Sequence, residues 1–146
     1  MAHDKPTLKR FILEFGMGLD QHGQDPTSAA CKAVKDAVAR SCLAGLIEIV
    51  RLQDVNDMLV EMHVACPFPE RVDRQAVLDA LPFGKKQLHL EPGGMIAHGL
   101  FQPELGDQSD ETLIANAAIT VWVDVDKMLA EWNAERGAEQ SFEKTI

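Results

Sequence analysis

The chain has 146 residues, 46% of them hydrophobic and 25% charged, which suits one soluble domain that buries its core without disulfide or metal staples. A net charge of -9 makes nucleic acid and anionic membrane unexpected as partners. Three cysteines without CxxC spacing, no signal peptide and no apolar run of membrane-spanning length point to free thiols in the cytoplasm, with Cys31 and Cys42 buried among small and apolar neighbours.

Taken in chain order, residues 1–8 read as a loose leader. Arg10 to Phe15 is a short run of strand formers, expected to end at the glycines that follow. Asp25-Pro26-Thr27 is a helix start, with Asp at the N-cap and Pro at the first helical position. From there Ala30, Ala33, Val34, Ala37, Val38 and Ser41 form a narrow apolar stripe suited to close packing on a sheet, with Lys32, Lys35, Asp36 and Arg40 largely on the other side. Gly45 is the expected stop. Leu46 to Val50 fits either a strand or more helix, and Asp54 to Asp57 a turn.

Met58 to Cys66 alternates as a strand ended by Pro67 and Pro69. Asp73 caps a short helix to Leu81, Gln87 to Glu91 is a third strand, and Met95 to His98 is extended again after Pro92-Gly93-Gly94. Residues 102–112 form a polar, acidic connection, Leu113 to Val125 is the central strand, and Asp126 caps a last helix to Gly137, with 138–146 a flexible tail. No repeat or linker divides the chain, so 1–146 is one domain. The order implies an α/β (α+β) fold: a β-α-β-α-β-β mixed sheet with helices on one face and early strands paired parallel through a right-handed crossover. The other face is left for another subunit.

The densest chemistry lies in Gly16-Met17-Gly18-Leu19-Asp20-Gln21-His22-Gly23. Glycines supply positive φ or close backbone approach, but Asp20-Gln21-His22 stands where a dinucleotide loop needs small residues. In an extended segment Asp20 and His22 point the same way. They could hold one divalent ion, with Glu14, His63, His89 or His98 as a third ligand, or act as a carboxylate-oriented imidazole in proton transfer. Both could instead simply stabilise the turn. Gly16, Gly18, Gln21 and Gly23 are the expected ligand-binding residues around them.

Elsewhere the bland reading is stronger. Lys85 and Lys86 read as solvated surface, His98 as a hydrogen-bonded histidine, and Gly93-Gly94 as a bulge or a close subunit approach. Glu104, Asp107, Asp110 and Glu111 lack calcium-loop spacing and read as a solvated loop. Cys66 has no basic neighbour in sequence to make it a nucleophile.

Gly16-x-Gly18-x-Asp20-x-His22-Gly23 resembles the GxGxDxHG signature of a small family of uncharacterised bacterial and plant proteins. Gln24-Asp25-Pro26-Thr27, Ala33-Val34-Lys35-Asp36-Ala37 and Asn116-Ala117-Ala118 extend that resemblance from about Arg10 to Asp124. The element order is similar to the fold shared by the trimeric chorismate mutases and the YjgF-type deaminases, and Asp54 to Pro67 is similar in placement to a strand of the mutase. This implies a chorismate mutase-like trimer with ligand sites between subunits. The mutase's catalytic arginines have no match here, so its activity does not carry over. Gly18-Leu19-Asp20-Gln21-His22 is also similar to the metal-binding Gly-Phe-Asp-x-His segment of the cyclodiphosphate synthases. That implies a divalent ion on Asp20 and His22, for which zinc suits the mixed nitrogen and oxygen ligands, although that family's Ser-Asp-Gly-Asp segment is absent.

The sequence thus supports a homo-oligomeric enzyme of lyase, isomerase or hydrolase type. It would act on a small polar metabolite at an interfacial site, with Asp20 and His22 as the reacting or metal-binding pair. A metabolite-binding or regulatory oligomer without turnover is the alternative.

Overall fold

Glu111–Asp124 forms β5, the strand around which the sheet is built. Its inner face reads Leu113, Ala115, Ala117, Ile119 and Val121, each at most 4% exposed, as a strand flanked on both edges requires. In this computed structural model, which describes residues 6–143 and side chains as far as residue 138, β5 pairs antiparallel with β1 (Leu8–Asp20). On its other edge it pairs antiparallel with β2 (Leu59–Cys66). A third partner, β4 (Met95–His98), follows β2 along that edge. Completing the sheet, β3 (Lys85–Pro92) pairs parallel with β2 across α3 (Arg74–Asp79), giving the order β1-β5-β2-β3.

This is the mixed sheet expected, with one correction. β1 and β2 run the same way but are not neighbours, because β5 comes between them. The strand with the most continuously apolar inner face takes the centre, and the parallel pair is β2 with β3.

The helix from Pro26 to Val38, α1, starts as its sequence predicts: the Asp25 carboxylate accepts the Thr27 N–H at 2.9 Å, with Pro26 in the first turn. Ala29, Ala30, Ala33, Val34 and Ala37 are buried against the sheet. Beneath them lie Gly16 and Gly18, whose sheet partners are Ala117 and Ala115. A Cβ on Gly16 would overlap Ala33 O and Ala37 N, and one on Gly18 would overlap Ala29 O and Ala33 N. The strand therefore does not end at the glycines. It runs through them to Asp20, and their lack of a side chain lets helix backbone rest on strand backbone.

The polar side of α1 has work of its own. Lys32, Asp36 and Arg40, four residues apart, reach the free edge of β1. They bond Leu19 O at 2.8 Å, Met17 N–H at 2.9 Å and Phe15 O at 3.5 Å respectively. Edge-strand groups that would otherwise template another chain are thereby occupied.

Gly45 lies inside α2 (Ala44–Glu48) rather than stopping α1, which resolves Leu46 toward helix. Leu46 and Val50 pack with Val121. The last helix, α4 (Val125–Glu143), stands against them: Trp132 Nε1 donates to Ile49 O at 2.6 Å, and the Arg51 guanidinium lies over the Trp132 ring while pairing with Glu135 at 3.2 Å. Asp124, rather than Asp126, accepts the first free N–H groups of α4. The helix passes Gly137 and continues to Glu143, while residues 1–5 of the expected leader and 144–146 of the expected tail lie outside the described residues. Cys42 is exposed, because it falls in the connection after α1 and not on its stripe.

Gly93 and Gly94 carry the chain from β3 into the track of β2. A Cβ on Gly93 would press on Ala65, and one on Gly94, at φ 68°, would overlap Ile114 O, so the close approach is within the chain. No helix among the described residues is long and apolar enough to cross a membrane. The helices leave the outer face of the sheet open, and there Leu13, Phe15 and Met17 are 46%, 65% and 52% exposed.

Gly16→Ala and Gly18→Ala should each cost about 3 kcal/mol in urea unfolding, because rigid backbone blocks the new methyl group on both sides. Gly137→Ala, where nothing lies within 4 Å, should be neutral or stabilising by up to about 1 kcal/mol.

Candidate functional site

The turn from β1 into α1 spans residues 21–25, and its tightness follows from the close docking of the helix. Gly23 has φ 93° and Gln24 φ 52°, so of the three motif glycines only Gly23 uses its conformational freedom. Asp20, 6% exposed at the inner end of β1, closes the turn by accepting the Asp25 N–H at 2.8 Å on Oδ2. Its Oδ1 faces the Lys32 ammonium at 3.6 Å.

His22 takes a different partner. Its Nδ1 lies 3.0 and 3.1 Å from the two carboxylate oxygens of Asp107. Asp20 and His22 therefore bind different partners, because the strand ends at Asp20 and the two-residue alternation ends with it. Asp107 is the hub. Its side chain is fully buried, and besides His22 it accepts the Gln102 N–H at 2.8 Å, the Gly23 N–H at 3.1 Å and Gln24 Nε2 at 3.3 Å. Gln24, itself buried, also takes the Gln108 N–H at 2.8 Å and donates to Glu111 O at 2.9 Å. The acidic connection is thus strapped onto the β1–α1 turn. The sequence had marked Asp107 as one of four solvated acids, and nothing in its neighbours distinguishes it from Glu104 or Asp110.

Burial works to raise the Asp107 pKa, but the hydrogen bonds from His22, Gln102, Gly23 and Gln24 outweigh it and bring it down to about 2. An ionised carboxylate only accepts, so His22 Nδ1 carries the proton toward it, and in the neutral ring Nε2 keeps its lone pair. No hydrogen bond holds Nε2 among the described residues, and the His22 side chain is 37% exposed. It lines an open depression of about 490 Å³ with Met17, Gly18, Leu19, Asp20, Gln21 and Lys32. Of the expected site residues, Gly18, Asp20, Gln21 and His22 are brought together there. Gly16 lies under α1, and Gly23 lies within the turn with its N–H on Asp107. Lys32 is a site residue the sequence did not single out, because its place on the polar side of the helix reads as solvent-facing.

The third ligands proposed for a metal are elsewhere. Glu14 shares the inner face with Asp20 but stands six residues back along β1, about 20 Å away. His63 and His89 face the opposite side of the sheet, His63 Nε2 pairing with Glu91 at 3.1 Å, and His98 pairs with Asp110 at 3.2 Å. With one Asp20 oxygen taken by an N–H and the other facing an ammonium, Asp20 and His22 do not by themselves fit a divalent ion within one chain. Among the described residues no three His, Cys, Asp or Glu side chains group as a metal would need.

The remaining candidates are structural. Lys85 pairs with Asp57 at 2.8 Å, and Lys86 donates to Leu78 O and Leu81 O at 2.8 and 2.6 Å, closing the end of α3. Burial pushes the Cys66 thiol pKa up, away from what a nucleophile needs.

A family model described as "Conserved hypothetical protein (Lin0512_fam)" matches residues 10–121. The chain is also similar to a crystal structure of an FtsZ-like protein of unknown function from Nostoc punctiforme, solved at 1.22 Å. The two are 50% identical with a TM-score of 0.75, covering 82% of this chain and 99% of that one. No match is found among curated proteins.

Because Asp107 has a depressed pKa in the folded state, its contribution to stability is complete above its unfolded value near 3.9 and is lost as pH falls through about 2. The stability gap between wild type and Asp107→Asn, read from thermal unfolding, should therefore narrow steadily from pH 4 to pH 2. A gap that stays constant across that range would contradict an ionised Asp107 hub.

Proposed function

The chain belongs to the Lin0512 family of conserved hypothetical proteins, and we propose that it is an acid–base enzyme acting on a small polar metabolite with His22 as the proton-transferring group. The observation that carries this is the His22–Asp107 pair: a buried, ionised carboxylate on Nδ1 and an unpartnered Nε2 over an open depression. Asp107 fixes the ring and stabilises the imidazolium formed when Nε2 takes a proton. Lys32 supplies the positive charge that favours an anionic substrate group, and Asp20 holds Lys32 and the turn in place. A lyase, isomerase or hydrolase fits such a dyad, and a divalent ion would need donors from a neighbouring copy.

The depression is shallow on one chain, and the outer face of the sheet beside it is apolar. A homo-oligomer, with a trimer favoured by the likeness to chorismate mutase and YjgF-type proteins, would complete the site from a second copy seated on Leu13, Phe15 and Met17. The GxGxDxHG resemblance fits the same reading, since four of its five fixed residues serve the docking and the turn and His22 alone is left with a free nitrogen.

Two experiments test this. Incubation with a pool of small anionic metabolites, followed by mass spectrometry, should show one consumed, with turnover falling about 10²–10⁴-fold in His22→Gln. A ligand that raises Tm yet is recovered unchanged would replace the enzyme with a binding module. Phe15→Glu should reduce the mass seen by analytical ultracentrifugation to one chain of 16.1 kDa, and a wild type already at that mass would end the interfacial version.

A further inference from the structure

The other end of α1 carries a different chemistry. Glu14, on the inner face of β1, is 6% exposed, and its Oε1 has no hydrogen-bond partner among the described residues. A carboxylate oxygen kept from water without a donor is costly and uncommon in folded proteins. Glu14 lines a cavity of about 300 Å³ bounded by Val38, Leu43, Val60, Phe83 and Ile119, in which the one other polar lining residue is Ser41. No basic residue lines it.

We infer that this cavity binds a small ligand with an apolar body and a single amine, the ammonium meeting Glu14. The volume is at the lower end for small-molecule sites, and one polar group in an otherwise apolar lining is how such sites orient a ligand. Carboxylate sign and the lack of a lining cation select a positively charged head. The net charge of -9 favours the approach of cations from solution. An anionic ligand would place two like charges together away from water. Of its lining residues Ser41 is exposed and Phe83 half exposed, so the cavity borders the surface.

This cavity is independent of the His22 depression. Along β1 the inner-face order is Glu14, Gly16, Gly18, Asp20, and α1 lies directly on the two glycines, closing off one end from the other.

The test is titration of the full chain at pH 7 with 2-phenylethylamine and cyclohexylamine, against 2-phenylethanol, cyclohexanol and 3-phenylpropionate, by calorimetry and by chemical-shift mapping around Glu14. An amine should bind saturably, about tenfold or more tighter than its alcohol, as a charge-assisted hydrogen bond gives, and the propionate should not bind. Glu14→Gln should bring the amine to the level of the alcohol. Equal binding of amine and alcohol to the wild type, unchanged amine binding in Glu14→Gln, or no saturable amine binding would each overturn the inference. The wild-type comparison of amine with alcohol stands even where Glu14→Gln fails to fold. Loss of this binding with the His22 chemistry intact, or the reverse, keeps the two proposals distinguishable.

Discussion

Backbone of α1 rests on backbone of β1 at Gly16 and Gly18, and no methyl group fits between them. The alanines at 115 and 117 on the neighbouring strand extend the same flat patch, and the helix answers with Ala29, Ala30, Ala33 and Ala37. Small residues on both sides bring the two elements closer than branched side chains would allow, which places the first turn of α1 directly over the end of β1. The chain then has residues 21–25 in which to reverse. That is why Gly23 and Gln24 take positive φ and why Asp20 must supply an acceptor for the Asp25 N–H.

The second lock follows from the first. A turn this short leaves the Gly23 N–H and the Gln24 side chain facing away from both β1 and α1, and the connection from 102 to 111 supplies what they need. Asp107 and Glu111 O meet them, and Gln24 Oε1 accepts the Gln108 N–H. With so many donors on one carboxylate, the charge on Asp107 is held against its own burial. Of the donors on this hub His22 lowers the Asp107 pKa most, ahead of Gln102, Gly23 and Gln24, and it alone among them also carries a second ring nitrogen that no hydrogen bond holds among the described residues. The economical account of the motif divides it accordingly: two glycines dock the helix, Asp20 and Gly23 make the turn, and His22 faces outward with a nitrogen to use.

Much of this architecture was legible in the residues. Asp25-Pro26 announces α1, the alanine stripe announces close packing, and the alternation from Met58 to Cys66 and the apolar run after Leu113 announce β2 and the central strand. The boundary at Gly16 was misread because glycine in sequence signals a turn, while here it signals an overlying helix; only the facing alanines in the helix could have hinted at that. Asp107 was invisible for a different reason. Its role depends on partners 83 to 85 residues away, and a polar loop looks the same whether one of its acids is buried or none is. Lys32 shares that difficulty, since periodicity tells which side of a helix is polar but not that a strand edge lies within reach of it.

The polar stripe of α1 also constrains how this sheet can meet another molecule. Lys32, Asp36 and Arg40 occupy backbone groups along the β1 edge, and at the opposite edge Arg74 holds Leu88 O of β3 at 2.7 Å. Strand addition at either edge would have to displace those charged contacts. The outer face bears no such protection on its β1 side, where Leu13, Phe15 and Met17 alternate along the strand with their side chains in water. It changes character across the sheet, where His63, His89, Glu61 and Glu91 stand on β2 and β3. A face that is apolar on one flank and ionisable on the other offers a burial drive together with a means of fixing orientation. The covered backbone groups thus lie along the edges of the sheet, and the exposed apolar side chains lie on its outer face.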